Sequence, residues 1–180
     1  MKTTLEITAE PLPRDLAFLG ESLTAFNDDD VGPSGRKPLV VFVLDEHDAV
    51  VAGISGYTAW GWLYVQWLWV DERLRGKGVA AGMLDAAEQE AVARGCHGAW
   101  IDTFNPIAEK VYRRQGYQPF GELPDFPIGR RRVFLQKKLP YSNSRELWSG
   151  SPSGIAQKLK TTPRAFRPAS ALARRWCSES

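Results

Sequence analysis

Gly76 and Gly78 stand where a β-prone run ending at Val70 gives way to an alanine-rich helical segment. A helix start leaves several N–H groups without intrahelical partners, and the helix dipole adds roughly half a positive charge there. Glycines let such a backbone approach an anion without a Cβ in the way. The spacing therefore predicts a loop that holds a pyrophosphate. Cationic side chains surround it at Arg73, Arg75 and Lys77.

The same glycines also fit the fingerprint of a dinucleotide-binding fold. Gly76, Gly78 and Ala81 have its spacing, and Asp102 lies downstream as a candidate ribose-binding acid. In that fingerprint the first glycine usually follows its strand directly, whereas five residues separate Val70 from Gly76 here. An NAD-binding oxidoreductase therefore stays open as the lower-ranked alternative.

Two blocks of the sequence resemble signatures of the GNAT acyltransferase superfamily. The first is Arg73-x-x-Gly76-x-Gly78 with Val79 and Ala80 after it, which resembles the family's acetyl-CoA signature. The second resembles the family's next signature helix and comprises Asn105, Ala108, Tyr112, Gly116 and Tyr117. The resemblance implies an α/β fold with a central mixed sheet of about six to seven strands, flanked by about three to four helices.

The resemblance also implies how acetyl-CoA is held. Backbone N–H groups from Arg75 through Ala80 are expected to meet the pyrophosphate, and the strand end at Leu68 and Val70 is expected to hydrogen-bond pantetheine. No metal is expected. The complete set of cofactor-binding residues implied in this way is Leu68, Val70, Arg73, Arg75, Gly76, Lys77, Gly78, Val79, Ala80 and Asn105.

Tyr112 is the expected catalytic residue. Aminolysis of a thioester releases a thiolate, which benefits from a proton donor close to the sulfur. In the family that the chain resembles, a tyrosine at this motif position is that general acid. The alternative is a core tyrosine that packs on Ala108 and Val111. The resemblance thus implies direct transfer of acetyl from acetyl-CoA to a primary amine within a ternary complex.

The residue that takes the proton of the amine stays open. Candidate carboxylates are Asp45, Glu46, Asp102, Glu122 and Asp125. Cys96 follows a glycine helix stop with no His–carboxylate pair implied beside it, so we do not expect it to carry the acetyl group.

The acceptor is equally open between a small amine, an antibiotic, an amino acid and a protein N-terminus. In the resembling family, segments corresponding to Arg14–Gly35 and Leu123–Gly129 usually wall the acceptor site. Acidic residues Asp28, Asp29 and Asp30 could attract a cationic amine. An aromatic wall could come from Trp60, Trp62, Tyr64 and Trp67.

Periodicity and turn residues predict the elements that position these groups. Strands are predicted at Thr3–Ala9, Lys37–Leu44, Val50–Thr58, Leu63–Val70, Gly98–Thr103, Tyr117–Leu123 and Arg131–Leu139, with a hairpin turn at Ala59–Gly61. Helices are predicted at Arg14–Asn27, from Val79 to a stop at Gly95, and from Pro106 to Gly116 with Asn105 as its cap. Residues Asp28–Gly35 are predicted as a loop. On the helix that begins at Val79, a polar face is predicted for Asp85, Glu88, Gln89 and Arg94.

The length and composition of the chain are typical of a globular protein of ordinary size. Its 180 residues are 43% hydrophobic, and its two cysteines have neither disulfide nor zinc-site spacing, which fits a cytoplasmic protein. No apolar signal segment or membrane span is predicted. Residues 1–139 are expected to form one domain, followed by a Ser- and Pro-containing tail over 140–180. The tail holds seven of the basic residues and two of the acidic ones, and we expect it to be disordered, with nucleic-acid binding disfavoured.

Two further hypotheses remain open. One is an alternative to the enzyme, a non-catalytic module that keeps the same fold and CoA binding but engages a partner. The other is that exposed strand edges pair two copies of the chain into a homodimer.

Overall fold

The structure is a computed structural model and describes residues 3–140. Apart from Pro140, the predicted tail lies outside the described residues. In chain order the elements are α1 (Pro13–Val31), β1 (Lys37–Leu44), β2 (Val50–Ala59), β3 (Trp62–Val70), a 3₁₀ turn (Glu72–Leu74), α2 (Val79–Ala93), β4 (Gly98–Thr103), α3 (Pro106–Arg114), β5 (Gln118–Pro124) and β6 (Arg131–Lys138).

The strands form one mixed sheet in the order β1-β2-β3-β4-β6-β5. Every neighbouring pair is antiparallel except β3 and β4, which run parallel and are joined through α2. This confirms the predicted mixed α/β fold, with six strands and three α-helices in the described part of the chain. A doubly wound dinucleotide fold needs a mostly parallel sheet, so the topology argues against the NAD-binding alternative.

One face of the sheet carries the core. Alternating side chains such as Ile54, Val65 and Ile101 point toward α2 and α3 and are almost fully buried. The intervening side chains point to the opposite face, where Trp67 and Trp69 remain more than half exposed. The sheet therefore has a packed helical side and an open side that is rich in aromatic rings.

Two predictions near the N-terminus are wrong. Thr3–Ala9 is not a strand, because no strand of the described chain pairs with it, and Ile7 is 92% exposed. Alternating apolar residues give strand propensity but cannot supply a neighbour. The predicted first helix is confirmed but continues to Val31, so the loop expected from Asp28 begins at Gly32, whose φ of +81° ends the helix. None of the residues of α1 is buried.

A third prediction is wrong on α2. Glu88 was expected on its solvent face, yet it is buried, and its Oε2 accepts a hydrogen bond of 2.6 Å from Lys137 Nζ on β6. A buried carboxylate is tolerated when an opposite charge pairs with it. Helical periodicity could not reveal this, because Lys137 comes from a strand 49 residues away in sequence.

Candidate functional site

A cleft opens where β3 and β4 part. The two strands pair only as far as Val65 and Ile101, and beyond these residues they separate around a cavity of about 470 Å³. Its lining residues are Tyr64, Val65, Gln66, Trp67, Leu68, Trp69, Ile101, Asp102, Thr103, Phe104, Asn105, Ala108, Tyr112 and Arg132. The free edge of β3 is thereby available to an extended ligand.

A bulge in β3 lies at the mouth of the split. The β2–β3 register shifts so that Gly56 faces Val65 while Ser55 faces Trp67, and Gln66 is left without a partner on β2. Bulges of this kind bend the strand that carries the extra residue. Gly56 permits it, since a Cβ there would lie 1.9 Å from the Tyr64 carbonyl oxygen. The sequence thus encodes the split partly through a glycine on the neighbouring strand.

The glycine loop presents a run of unused N–H groups. Gly76, Lys77 and Gly78 donate hydrogen bonds to no other described residue. The next three residues, Val79 to Ala81, begin α2 and lack intrahelical acceptors, and no side chain caps them. Together with the helix dipole, these groups form a cradle suited to an anion. We refer to Gly76–Ala81 as the N–H cradle.

Both glycines of the N–H cradle have backbone conformations that other residues rarely adopt. Gly76 has φ +73° and Gly78 has φ +79°, and a Cβ at either position would meet nothing within 4 Å. The glycines are therefore required by the turn, and the space in front of the loop is open. That combination fits a diphosphate held by main-chain donors.

The two arginines of the loop are engaged by neighbouring carboxylates. Arg73 Nε lies 2.9 Å from Asp71 Oδ1 and Arg73 Nη2 lies 3.0 Å from Oδ2, while Arg75 pairs with Glu72 at 3.2 Å. The hydrogen bonds from Arg73 lower the pKa of Asp71 to about 2. Lys77 has no hydrogen bond or ion pair with any described residue, so it is the loop cation most available to a ligand.

Two predicted main-chain contacts are already occupied. The Arg75 N–H donates to the Glu72 carbonyl, and Arg75 Nε donates to the Val70 carbonyl, both at 3.2 Å. The free donors therefore begin at Gly76, one residue later than expected. Of the two predicted strand residues, Leu68 lines the cleft and Val70 does not.

Asn105 closes the opposite wall of the cleft at the start of α3. Its Oδ1 accepts hydrogen bonds from the N–H groups of Ile107 at 2.9 Å and Ala108 at 3.5 Å, and Pro106 occupies the first helical position. The predicted helix cap is thus present. The cap also fixes the direction in which α3 carries Tyr112, two turns further along.

Tyr112 lines the cleft although its side chain is only 5% exposed. Its hydroxyl makes no hydrogen bond to a described residue and is not among the fully buried polar atoms. Burial, with a smaller contribution from the charge of Asp102, raises the pKa of Tyr112 to about 12. The phenol therefore stays protonated at neutral pH and can donate a proton into the cleft.

Asp102 lies at the floor of the cleft and is held from two neighbouring strands. Tyr64 on β3 donates its hydroxyl to Oδ1 at 3.2 Å, and Arg132 on β6 binds Oδ2. The Asp102 side chain is 7% exposed. Burial and the charge of Asp102 raise the pKa of Tyr64, so this hydroxyl remains a donor. The three side chains form a cluster that we call the Asp102 cluster.

The other candidate bases lie outside the cleft. Asp45 accepts two backbone N–H groups of its own turn, and Glu46 contacts His47. Glu122 pairs with Arg131 at 2.6 Å, and Asp125 accepts the Gly129 N–H. Cys96 is buried in the core, which raises the pKa of its thiol and opposes a nucleophilic role.

Only some of the residues expected to wall the acceptor site line the cleft. Tyr64 and Trp67 line it, whereas Trp60 hydrogen-bonds the Gly32 carbonyl at the β2–β3 turn and Trp62 packs against His97. The segment from Leu123 to Gly129 borders a neighbouring hollow instead, lined mainly by α3 and the β5–β6 connection. The acidic residues Asp28 to Asp30 belong to α1 and do not line the cleft.

Arg132 is the site residue that sequence reasoning missed. It stands in an ordinary basic run on β6, and only the register that sets Asp102 beside Phe134 places the two charges together. No local signal identifies such a cross-strand pair. Gln66 was also missed, because a bulge shows in pairing and not in the pattern of apolar residues.

Within residues 3–140, no three His, Cys, Asp or Glu side chains gather as metal ligands. None of the helices in that range is long and apolar enough to cross a membrane.

Comparison with known proteins gives a family match over most of the described chain. Residues 4–117 match the model of the acetyltransferase (GNAT) family. An acetyltransferase of Agrobacterium fabrum is 41% identical over 118 residues, which are 66% of this chain and 86% of the relative. The blasticidin-S acetyltransferase of Streptomyces morookaense is 34% identical over 107 residues, which are 57% of this chain and 79% of the relative.

A solved structure also matches this chain. A crystal structure from Agrobacterium tumefaciens, assigned as an acetyltransferase, superposes with a TM-score of 0.71 at 37% identity. The match covers 77% of this chain and all of that one.

Proposed function

This chain belongs to the GNAT acetyltransferase family and is an acyltransferase, and from that premise we propose that it transfers acetyl from acetyl-CoA to a primary amine by direct attack. The observation that carries the proposal is the N–H cradle next to the free edge of β3. Gly76 to Gly78 offer donors that no described residue uses, and Val79 to Ala81 add a helix start. A diphosphate would lie on these donors, with Lys77 beside it.

The extended arm of acetyl-CoA would continue along the free edge of β3 into the cleft. Leu68 lines this edge, and Asn105 and Tyr112 line the facing wall. Bound acetyl-CoA supplies an activated acyl group as a thioester. Holding the amine against this thioester in the cleft lowers the activation barrier through proximity and orientation.

Tyr112 is the proposed general acid. As the amine nitrogen forms the new C–N bond, the C–S bond breaks and the Tyr112 hydroxyl gives its proton to the sulfur. A protonated amine loses two protons in becoming an amide. One restores Tyr112 and the other passes to solvent. The raised pKa of Tyr112 keeps the phenol protonated at neutral pH, as a general acid must be before it gives its proton to the departing sulfur.

We propose a small-molecule amine as the acceptor. One relative is named for blasticidin-S, and the cleft of about 470 Å³ must hold the acetyl-bearing end of acetyl-CoA as well as the acceptor, which favours a small amine. A peptide amine remains the second choice, because an extended peptide would have to lie on the open face of the sheet. The cleft is the feature that favours the smaller acceptor.

Turnover tests the proposal. Thiol release from acetyl-CoA is followed for the full-length protein with blasticidin S, spermidine and 2-phenylethylamine, and acetylated products are identified by mass spectrometry. We expect at least one amine to raise thiol release well above the rate with water alone. If acetyl-CoA binds but no primary amine raises that rate, the non-catalytic CoA-binding module becomes the better hypothesis.

Three accompanying proposals rest on the sequence. We place the end of the catalytic domain near Leu139, with the tail over 140–180 dispensable for CoA binding. A cytoplasmic location follows from the cysteine usage, and a homodimer through exposed strand edges stays a prediction that light scattering can test.

A further inference from the structure

Asp102 is the only acidic residue that lines the cleft among residues 3–140. No histidine lines it either, so Asp102 is the one anion that a ligand entering this cleft can reach in the described chain. The other carboxylates near the site, Glu109 and Glu122, border the neighbouring hollow and are bound by Arg131.

The Asp102 carboxylate keeps one acceptor position free. A carboxylate has about four lone-pair positions in all, two on each oxygen. Arg132 directs both Nε and Nη2 to Oδ2, and Tyr64 occupies one position on Oδ1. The described residues make no further hydrogen bond to Oδ1. One further donor is therefore accommodated there without displacing either partner.

The position of Asp102 in the sheet determines what approaches it. Ile101 faces the core, so Asp102 points to the open aromatic face, beside Tyr64, whose ring stacks on Trp100 at 3.8 Å. Tyr112 reaches the same cleft from the helical side. The charge of Asp102 contributes to the raised pKa of Tyr112, so its field extends across the cleft.

Two aromatic rings elsewhere in the chain already hold cations of the chain itself. The Arg36 guanidinium lies 3.8 Å from the centre of the Tyr57 ring, and that of Arg132 lies 5.1 Å from the Phe126 ring. The faces of aromatic rings attract cations, most strongly where water is excluded. Tyr64 and Trp67 line the cleft, so a cationic ligand there finds aromatic rings near Asp102.

We infer that Asp102 binds the ammonium group of the acceptor, so that the enzyme selects amines that arrive as cations and enter from the open aromatic face. The inference rests on the proposed function, since the acceptor must meet acetyl-CoA in this cleft. Tyr64 and Arg132 are positioning residues that hold the carboxylate at the floor.

The same contact starts the reaction. An ammonium hydrogen-bonded to Oδ1 gives one proton to Asp102, which leaves a neutral amine with a lone pair for attack and a protonated carboxyl that returns its proton to solvent. Arg132 and Tyr64 hold the carboxylate in place while the cation binds. Recognition of charge is thus the primary role of the Asp102 cluster.

Binding measurements test the inference without turnover. Full-length protein saturated with CoA is titrated calorimetrically with 2-phenylethylamine and with its neutral isostere 2-phenylethanol at pH 7, where a primary amine is protonated. We expect the amine to bind at least about tenfold more tightly, which corresponds to a charged hydrogen bond of roughly 1.4 kcal/mol. The Asp102→Asn variant should bind amine and alcohol alike.

Two further variants keep the result decisive. Glu88→Gln is the matched control, because Glu88 is equally buried and also pairs with a β6 cation, but lies outside the cleft; the amine preference should persist. Arg132→Gln removes one of the two groups that position the carboxylate and should reduce the preference without abolishing it, while retained CoA binding shows that the variant is folded. Equal binding of amine and alcohol by the wild type, or an unchanged preference in Asp102→Asn, would overturn the inference. Failure of the wild type to bind CoA would instead count against the proposed function.

Discussion

Val65 and Ile101 form the last pair between β3 and β4, and the cleft opens directly beyond them. The two side chains are buried in the core, so the point of separation is anchored and cannot slide along the strands without exposing both. Beyond this pair, the cleft receives Tyr112 from the helical side and Asp102 from the open side. The reaction chemistry we propose takes place between these two residues.

Replacing Tyr112 with Phe should lower kcat by about 10²–10⁴-fold, as expected for loss of a general acid. The KM for acetyl-CoA should stay within about twofold, because the N–H cradle is untouched. Steady-state kinetics with an acetylated amine gives both numbers. Tyr117→Phe is the matched control, since its ring lies 6.4 Å from that of Tyr112 but its hydroxyl is buried outside the cleft. Equal losses in the two variants would remove Tyr112 from the mechanism.

The raised pKa of Tyr112 predicts how stability depends on pH. The folded value is about 12 and the ordinary value is 10.0, so the folded state holds a proton that the unfolded state loses. This contribution is complete below pH 10 and is lost as pH rises from 10 toward 12, at up to about 1.4 kcal/mol per pH unit. Urea unfolding at pH 9.5, 10.5 and 11 should show a shallower decline for Tyr112→Phe than for the wild type. Parallel declines would show that the Tyr112 pKa is not raised.

Ion pairs within the glycine loop engage Arg73 but not Lys77, so the two cations should contribute unequally to acetyl-CoA binding. Lys77→Ala should weaken acetyl-CoA binding by about five- to tenfold and reduce its salt dependence, because Lys77 has no partner among the described residues. Arg73→Ala should change affinity by less than about threefold, since Asp71 already holds that guanidinium. Calorimetric titrations at two ionic strengths separate the two variants. The reverse order of effects would mean that Arg73 leaves Asp71 when the ligand binds.

A chain that ends at Pro140 tests the proposed domain boundary. Because β6 ends at Lys138 and completes the sheet, the shortened chain should keep its acetyl-CoA affinity within about twofold of the full-length value. Its thermal unfolding midpoint should remain close to that of the full chain. A large loss of affinity would place part of the CoA site in residues 141–180.

The sequence predicted local structure well where the signal itself was local. Strands Lys37–Leu44 and Gly98–Thr103 were predicted with the bounds observed, and Asn105 with Pro106 marked the start of α3. Turn and cap residues act on their immediate neighbours, so their effects can be read from a single chain.

Features that depend on a distant partner were not predictable. The alternation at Thr3–Ala9 suggested a strand, but a strand needs a neighbour to pair with. Glu88 was expected on the solvent face because Lys137, which pairs with it, lies on a distant strand. The pairing of Asp102 with Arg132 likewise depends on strand register and has no local signal. Five carboxylates were candidate bases from the sequence, and the strand register alone brings one of them, Asp102, into the cleft.

We propose that the N–H cradle holds the diphosphate of acetyl-CoA, and a pair of glycine variants at the two ends of α2 tests this. Gly78 and Gly95 have nearly equal φ values of +79° and +83°, and a Cβ at either would meet nothing within 4 Å, so valine strains both turns alike. Acetyl-CoA is titrated into the wild type and into each variant by calorimetry, with NAD as the negative control. We expect micromolar binding of acetyl-CoA but not of NAD by the wild type, at least about 30-fold weaker acetyl-CoA binding by Gly78→Val, and nearly unchanged binding by Gly95→Val. Equal affinity in Gly78→Val and Gly95→Val would mean that the N–H cradle does not hold the diphosphate.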